Sequence, residues 1–217
     1  MKKAFWIVNK ASDERAEIYL YGYIGYADEV TASSFVQELR SLEKEYGTIE
    51  LHINSNGGSV YEGLAIISAI KNSKSKIIGY VDGVAASMAA VIALSLPECY
   101  MNKYARMMTH RVQAGCYGNA DELRQQADLV DSIENDLVDI LVKKTKMTAE
   151  QVKTTYITDR DKWMTAEDCR RAGLINGIID NDDLSLPNNI KPEDIYNIYD
   201  KELTNKFSQT ETTIYLL

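Results

Sequence analysis

The sequence predicts an α/β fold with largely parallel strand pairing. Three observations carry it. Short β-rich segments alternate with segments of helical period up to residue 110, glycine-bearing turns join strand to helix, and a later stretch without Gly or Pro forms one long helix. The chain has 217 residues, a length suited to one main domain.

Taken in order, residues 17–24 (EIYLYGYI) alternate and are rich in β-formers, so they read as a strand. Thr31 then precedes Phe35, Val36, Leu39 and Leu42 at helical spacing, with Gly47 as a stop. Residues 48–54 place Ile49, Leu51 and Ile53 on one strand face. A turn at Asn56-Gly57-Gly58-Ser59 leads to a helix over 60–71. A third strand, 76–81, passes through Asp82-Gly83 into a small-residue helix over 85–96. Residues 104–109 form a strand ending at His110. From Ala120 to Lys146 there is no Gly or Pro, and Leu123, Ala127, Val130, Ile133, Leu137, Ile140 and Leu141 recur helically. Thr148 reads as the N-cap of a short helix through Val152. Thr165 with Asp168 reads as a capping box opening a helix that stops at Gly173.

Composition excludes several classes. With 32 acids against 24 bases the net charge is −8, which argues against a nucleic-acid partner. The apolar run 84–96 is broken by serines and falls short of the ~20 residues of a membrane span, so no membrane partner is expected. The N-terminal MKKAFWIV turns polar at Asn9, short of a signal-peptide core. Three scattered cysteines, no CxxC pair and two histidines give no metal framework. No metal or cofactor is expected, and free thiols suit a reducing, cytoplasmic setting. Residues 181–217 hold seven acids and three bases, hence −4 of the −8, with Pro187 and Pro192. This divides the chain into a domain over 1–180 and an acidic C-terminal extension over 181–217.

The chemistry concentrates near Ser87. A serine at a strand-to-helix turn, among small neighbours, has unpaired helix N–H groups beside its hydroxyl and room for a substrate backbone. The surrounding Ala85-Ala86-Ser87-Met88-Ala89 is not the GxSxG elbow. A buried helix with Ser87 bonded to a backbone carbonyl is the competing reading. His110, at the end of a strand, is placed as a base would be. His52 lies mid-strand on the polar face and reads as structural. Asn56-Gly57-Gly58 is a second glycine turn whose amides face the same region. Cys116 is an alternative nucleophile with Arg111 as its one nearby cation.

Five segments in order resemble one family. Asn54-Ser55-Asn56-Gly57-Gly58, Gly83-Val84-Ala85-Ala86-Ser87-Met88-Ala89, Met107-Met108-Thr109-His110, Asp159-Arg160-Asp161-Lys162-Trp163-Met164-Thr165-Ala166-Glu167 and Ala172-Gly173-Leu174-Ile175 are similar to the proteolytic subunits of the Clp protease, ClpP. Within that family the match resembles the ClpP-like proteases of phages and prophages, including head-maturation proteases.

The resemblance implies a ClpP/crotonase-like superhelix of repeated strand–helix turns, with residues 120–146 as its long handle helix. It implies a serine endopeptidase acting on unfolded or peptide substrates inside an oligomeric chamber, with peptide-bond chemistry that itself needs no ATP. Ser87 matches the nucleophile, His110 the base, Asp161 the residue that orients the base, and the amides of Gly58 and Met88 the oxyanion hole. A heptameric ring or stacked double ring is implied, and a possible AAA+ unfoldase partner such as ClpX. Residues 1–16 lack the family's usual axial-loop pattern, and Asn56 stands where the family usually has Pro. The biological role implied is Clp-type protein degradation or prohead maturation. The alternatives are a catalytically weak scaffolding ring and a crotonase-type acyl-CoA enzyme.

Overall fold

In a computed structural model that describes residues 9–10, 15–25 and 30–180, helices follow strands as the alternation predicts. β1 (Asn9–Lys10) pairs antiparallel with β2 (Arg15–Tyr21), while β2, β3 (Thr48–Ser55) and β4 (Lys76–Ala86) run parallel. Helices α1 (Ala32–Leu42), α2 (Val60–Lys71) and α3 (Met88–Ser95) follow β2, β3 and β4 in turn. The inward residues of β2 and β3, Ala16, Ile18, Leu20, Ile49, Leu51 and Ile53, are fully buried with Phe35 and Leu39 of α1 and Ile66 of α2. Each such larger side chain contributes about 1.5–3 kcal/mol through burial.

β4 is the branching strand. Gly79, Tyr80 and Val81 pair with β5 (Cys99–Asn102), whereas Val84, Ala85 and Ala86 pair with β6 (Arg106–Thr109). β5 continues the parallel sheet to β8 (Gly177–Ile179), and β6 pairs antiparallel with β7 (Lys162–Thr165). The branch explains two departures from the sequence expectation. The third strand does not stop at 81, because Asn54 Oδ1 accepts from the Val84 N–H at 3.1 Å and Ser55 pairs with Ala85 across a register shift. The following helix therefore begins at Met88 rather than 85. β1, β5, β7 and β8 are two to four residues long, too short for a period to show in sequence.

The long helix α4 (Ala120–Thr145) carries a capping box of Asn119 with Glu122. Leu137, Val138 and Leu141 of its second half are buried, while Leu123 and Leu129 of its first half are exposed. α5 (Ala149–Tyr156) starts at the Thr148 cap and runs one turn beyond Val152. α6 (Ala166–Arg171) opens on Thr165 and Asp168 as predicted. All these elements belong to the unit Met1–Ile179. The acidic extension expected over 181–217 and most of the N-terminal 1–16 lie outside the described residues.

On the sheet face away from the core, rings stack in a row. Tyr19–His52, His52–Tyr80 and Tyr80–Tyr100 have centroids 4.9, 5.2 and 5.7 Å apart. His52 Nδ1 lies 2.8 Å from Asp82 Oδ2. Burial pulls the His52 pKa down, but Asp82, with help from Glu17 and Glu50, outweighs it and leaves the pKa raised. A raised folded-state value favours folding below the ordinary 6.5 and loses that contribution as pH climbs through the folded value. Denaturant stability of the wild type should therefore fall more steeply above pH 6.5 than that of Asp82→Asn. Parallel slopes would contradict this coupling.

Candidate active site

Ser87 sits where β4 ends and α3 begins. Its backbone is at φ 53° and ψ −123°, a left-handed conformation that a non-glycine residue adopts at a cost of roughly 1–3 kcal/mol. Two features hold it there. The Ser87 N–H donates to Met108 O at 2.9 Å, and α3, buried from Met88 through Leu94, fixes the chain beyond. As N-cap the hydroxyl makes no capping bond. Instead Ser87 Oγ lies 2.7 Å from His110 Nε2. The competing sequence reading, a hydroxyl spent on a backbone carbonyl, does not match this geometry.

His110 and Asp161 are placed by strand register. Thr109 of β6 faces Lys162 of β7, so His110 follows one partner and Asp161 precedes the other. Their separation, His110 Nδ1 to Asp161 Oδ1, is 3.7 Å, longer than a hydrogen bond. His110 Nδ1 is buried and has no hydrogen-bond partner. Asp161 is half-exposed. Asp159, two residues earlier, pairs instead with Arg111 at 3.2 Å.

The Gly57-Gly58 turn abuts the serine. Both glycines have positive φ, 92° and 148°. A Cβ on Gly57 would lie 2.6 Å from Ala86 O and 2.9 Å from Ser87 Cβ, and one on Gly58 would overlap the Ile24 carbonyl. Ile24 fixes the turn from the other side: its N–H donates to Gly57 O at 2.9 Å, and its carbonyl accepts from the Ser59 N–H at 2.8 Å. Met88, the first residue of α3, has no intrahelical acceptor for its N–H. Gly58, Ser87, Met88 and His110 all line one cleft of about 320 Å³. Val91, Leu137, Leu141 and Ile157 give that cleft an apolar wall suited to an apolar side chain.

Sequence reading, which set Arg111 beside Cys116, missed its pairing with Glu134. Arg111 Nε lies 3.1 Å from Glu134 Oε2, and Glu134 is the one buried charged residue among the described residues. Hydrogen bonds to Glu134 and then Asp159 raise the Arg111 pKa and keep it charged. Glu134 stands among the apolar positions of α4, a signal that an acid there has an internal partner.

The thiols separate clearly. Burial pushes both Cys99 and Cys169 up to about 12, and Cys116 is exposed. Iodoacetamide at neutral pH is thus expected to modify the native protein at Cys116 alone, and Cys116→Ser should keep full peptidase activity. Loss of activity in that variant would revive Cys116 as nucleophile. Among the described residues, Glu17, Glu50 and His52 bring one possible metal-ligating atom each within 4.8 Å. They lie on the aromatic sheet face, and their neighbours already engage them: Tyr19 Oη donates to Glu17, Arg15 to Glu50, and Asp82 pairs with His52 Nδ1. No helix among the described residues is long and apolar enough to cross a membrane.

A serine at positive φ whose hydroxyl lies 2.7 Å from a histidine, beside a double-glycine turn, is an arrangement able to carry nucleophilic-serine hydrolase chemistry. The sequence pattern of the Clp protease family matches residues 2–182. The chain is 35% identical over 156 residues to ATP-dependent Clp protease proteolytic subunit 2 of Corynebacterium efficiens, covering 70% of this chain and 77% of that one. It is 32% identical to proteolytic subunit 1 of Corynebacterium jeikeium, covering 70% and 82%. The chain belongs to the Clp protease family. It is a serine-type peptidase that acts on peptide substrates in an oligomeric ring.

Proposed function

We propose that Ser87, His110 and Asp161 are nucleophile, base and orienting acid of this peptidase, with the amides of Gly58 and Met88 as oxyanion hole. The observation that carries the reading is the 2.7 Å contact of Ser87 Oγ with His110 Nε2 at a serine held at positive φ. Neutral His110 takes the hydroxyl proton as Ser87 Oγ attacks the peptide carbonyl. Asp161 closes on Nδ1–H, holds the tautomer and stabilises the imidazolium. The two amides bind the oxyanion, and loss of one such donor costs about 10²–10³ in rate. Imidazolium then protonates the leaving amine, and water repeats the sequence on the acyl-enzyme. A fluorophosphonate probe is expected to label the wild type and not Ser87→Ala. Labelling that survives the substitution sinks the assignment.

The ring is a heptamer, single or stacked in two, joined through α4. Support comes from Leu123 and Leu129, which α4 leaves exposed in the single chain. A seven-fold ring in negative-stain images is the expected result. Degradation of folded proteins would require an AAA+ unfoldase of the ClpX type at the ring face; the names of the relatives, ATP-dependent Clp protease subunits, favour such a partner. Residues 1–180 form the protease domain and 181–217 an acidic extension, a division supported by the family match ending at 182.

A further inference from the structure

We propose that Arg111 is a positioning residue: braced by the buried carboxylate of Glu134 on α4, it holds the loop that carries Asp161 against His110. The inference rests on the triad reading above. Asp161 ends the irregular segment between α5 and β7, and it must move inward by about 0.5–1 Å to bond His110 Nδ1. Two attachments govern that segment. One is the pairing of Lys162 with Thr109. The other is Arg111, whose N–H donates to Thr158 O at 3.2 Å and whose Nη1 donates to Asp159 Oδ1 at 3.2 Å.

The two acids facing the guanidinium differ in weight. The Asp159 side chain is 87% exposed, so solvent screens that contact. The Glu134 side chain is 9% exposed, so its charge depends on Arg111 for compensation. A guanidinium offers donors in a fixed plane, so Nε on Glu134 sets where Nη1 can go, while the N–H bond to Thr158 O holds the backbone of residue 111. The helix that walls the substrate cleft with Leu137 and Leu141 thereby also anchors the acid loop. His110, next in sequence to Arg111, is held from the same point.

Arg111→Met keeps the aliphatic stem and removes the fork. With an apolar fluorogenic dipeptide amide as substrate, kcat/KM is expected to fall roughly 10- to 100-fold, because a misplacement of about 1 Å costs on that order. The fall should lie in kcat, with KM unchanged. In an Asp161→Asn background Arg111→Met should cause no further loss, since the residue it positions is already disabled. Glu134→Gln, which leaves volume intact, should reproduce the kcat effect and serves if Arg111→Met does not assemble. Additive losses in the double variant, a change in KM alone, or wild-type kcat in both single variants would each overturn the proposal. If Asp161→Asn itself keeps wild-type kcat/KM, the triad reading fails and the clamp with it. If Asp161→Asn is slow but Arg111→Met and Glu134→Gln are not, the clamp alone fails.

Discussion

Ser87→Ala is expected to lower peptide hydrolysis by on the order of 10⁶-fold, and His110→Ala by a similar factor, with the double variant no worse than either. The reason is the shared step. With Oγ gone, His110 Nε2 has nothing at 2.7 Å to deprotonate; with the imidazole gone, Ser87 keeps its proton. What survives is binding and oxyanion stabilisation. Alanine removes a single oxygen atom from a junction held by the Ser87 N–H bond to Met108 and by α3, so assembly should be unaffected. The measurement is turnover of a fluorogenic peptide by protein made in a host lacking its own Clp peptidase. Undiminished turnover in Ser87→Ala would end the serine mechanism, and losses that multiply in the double variant would separate the two residues' roles.

Gly58→Ala should be the second most damaging single change. At φ 148° an alanine is strained, and its Cβ would overlap the carbonyl oxygen that ties Ile24 to Ser59. The turn must swing away from Ile24, which takes the Gly58 N–H with it. We expect a stability loss of about 1–3 kcal/mol. Fluorophosphonate acylation should slow by about 10²–10³, as when one oxyanion donor is lost. Gly47→Ala is the matched control, since nothing lies within 4 Å of a Cβ there. A Gly58→Ala protein that melts like wild type and acylates at its rate would show that this amide has no part in the chemistry.

The sequence was most legible where residues repeat with a period. β2, β3, α1, α2 and α4 each bury one side of a sustained pattern, and that pattern is visible without coordinates. Ser87 and His110 were legible because each stands at a change of element. Asp161 was not: it follows Asp159 and Arg160 at the end of an irregular segment, and only resemblance to a family distinguished it. β7 was hidden for a related reason. Four residues, Lys162–Thr165, cannot display alternation, and what makes them a strand is the distant partner β6. The start of α3 was misplaced because Ala85 and Ala86 suit a helix by composition, yet β6 draws them into the sheet. Arg111 and Glu134, 23 residues apart, are joined only by the fold.

The branch at β4 has a consequence for which insertions and deletions the chain tolerates. Ala86, Thr109 and Lys162 are terminal or near-terminal rungs of three hydrogen-bonded strands, and Ser87, His110 and Asp161 each stand one step beyond. Side chains alternate across a strand, so deleting one residue within Arg106–Thr109 or Lys162–Thr165 would carry His110 or Asp161 to the opposite face. The stretch 114–118, ahead of α4, carries no such rung. Gly115 and Gly118 lie in it, and Tyr117 is fully exposed. That stretch is where length can change while Ser87, His110 and Asp161 keep their places, and a peptide tag inserted beside Gly115 should leave the acylation rate as it was.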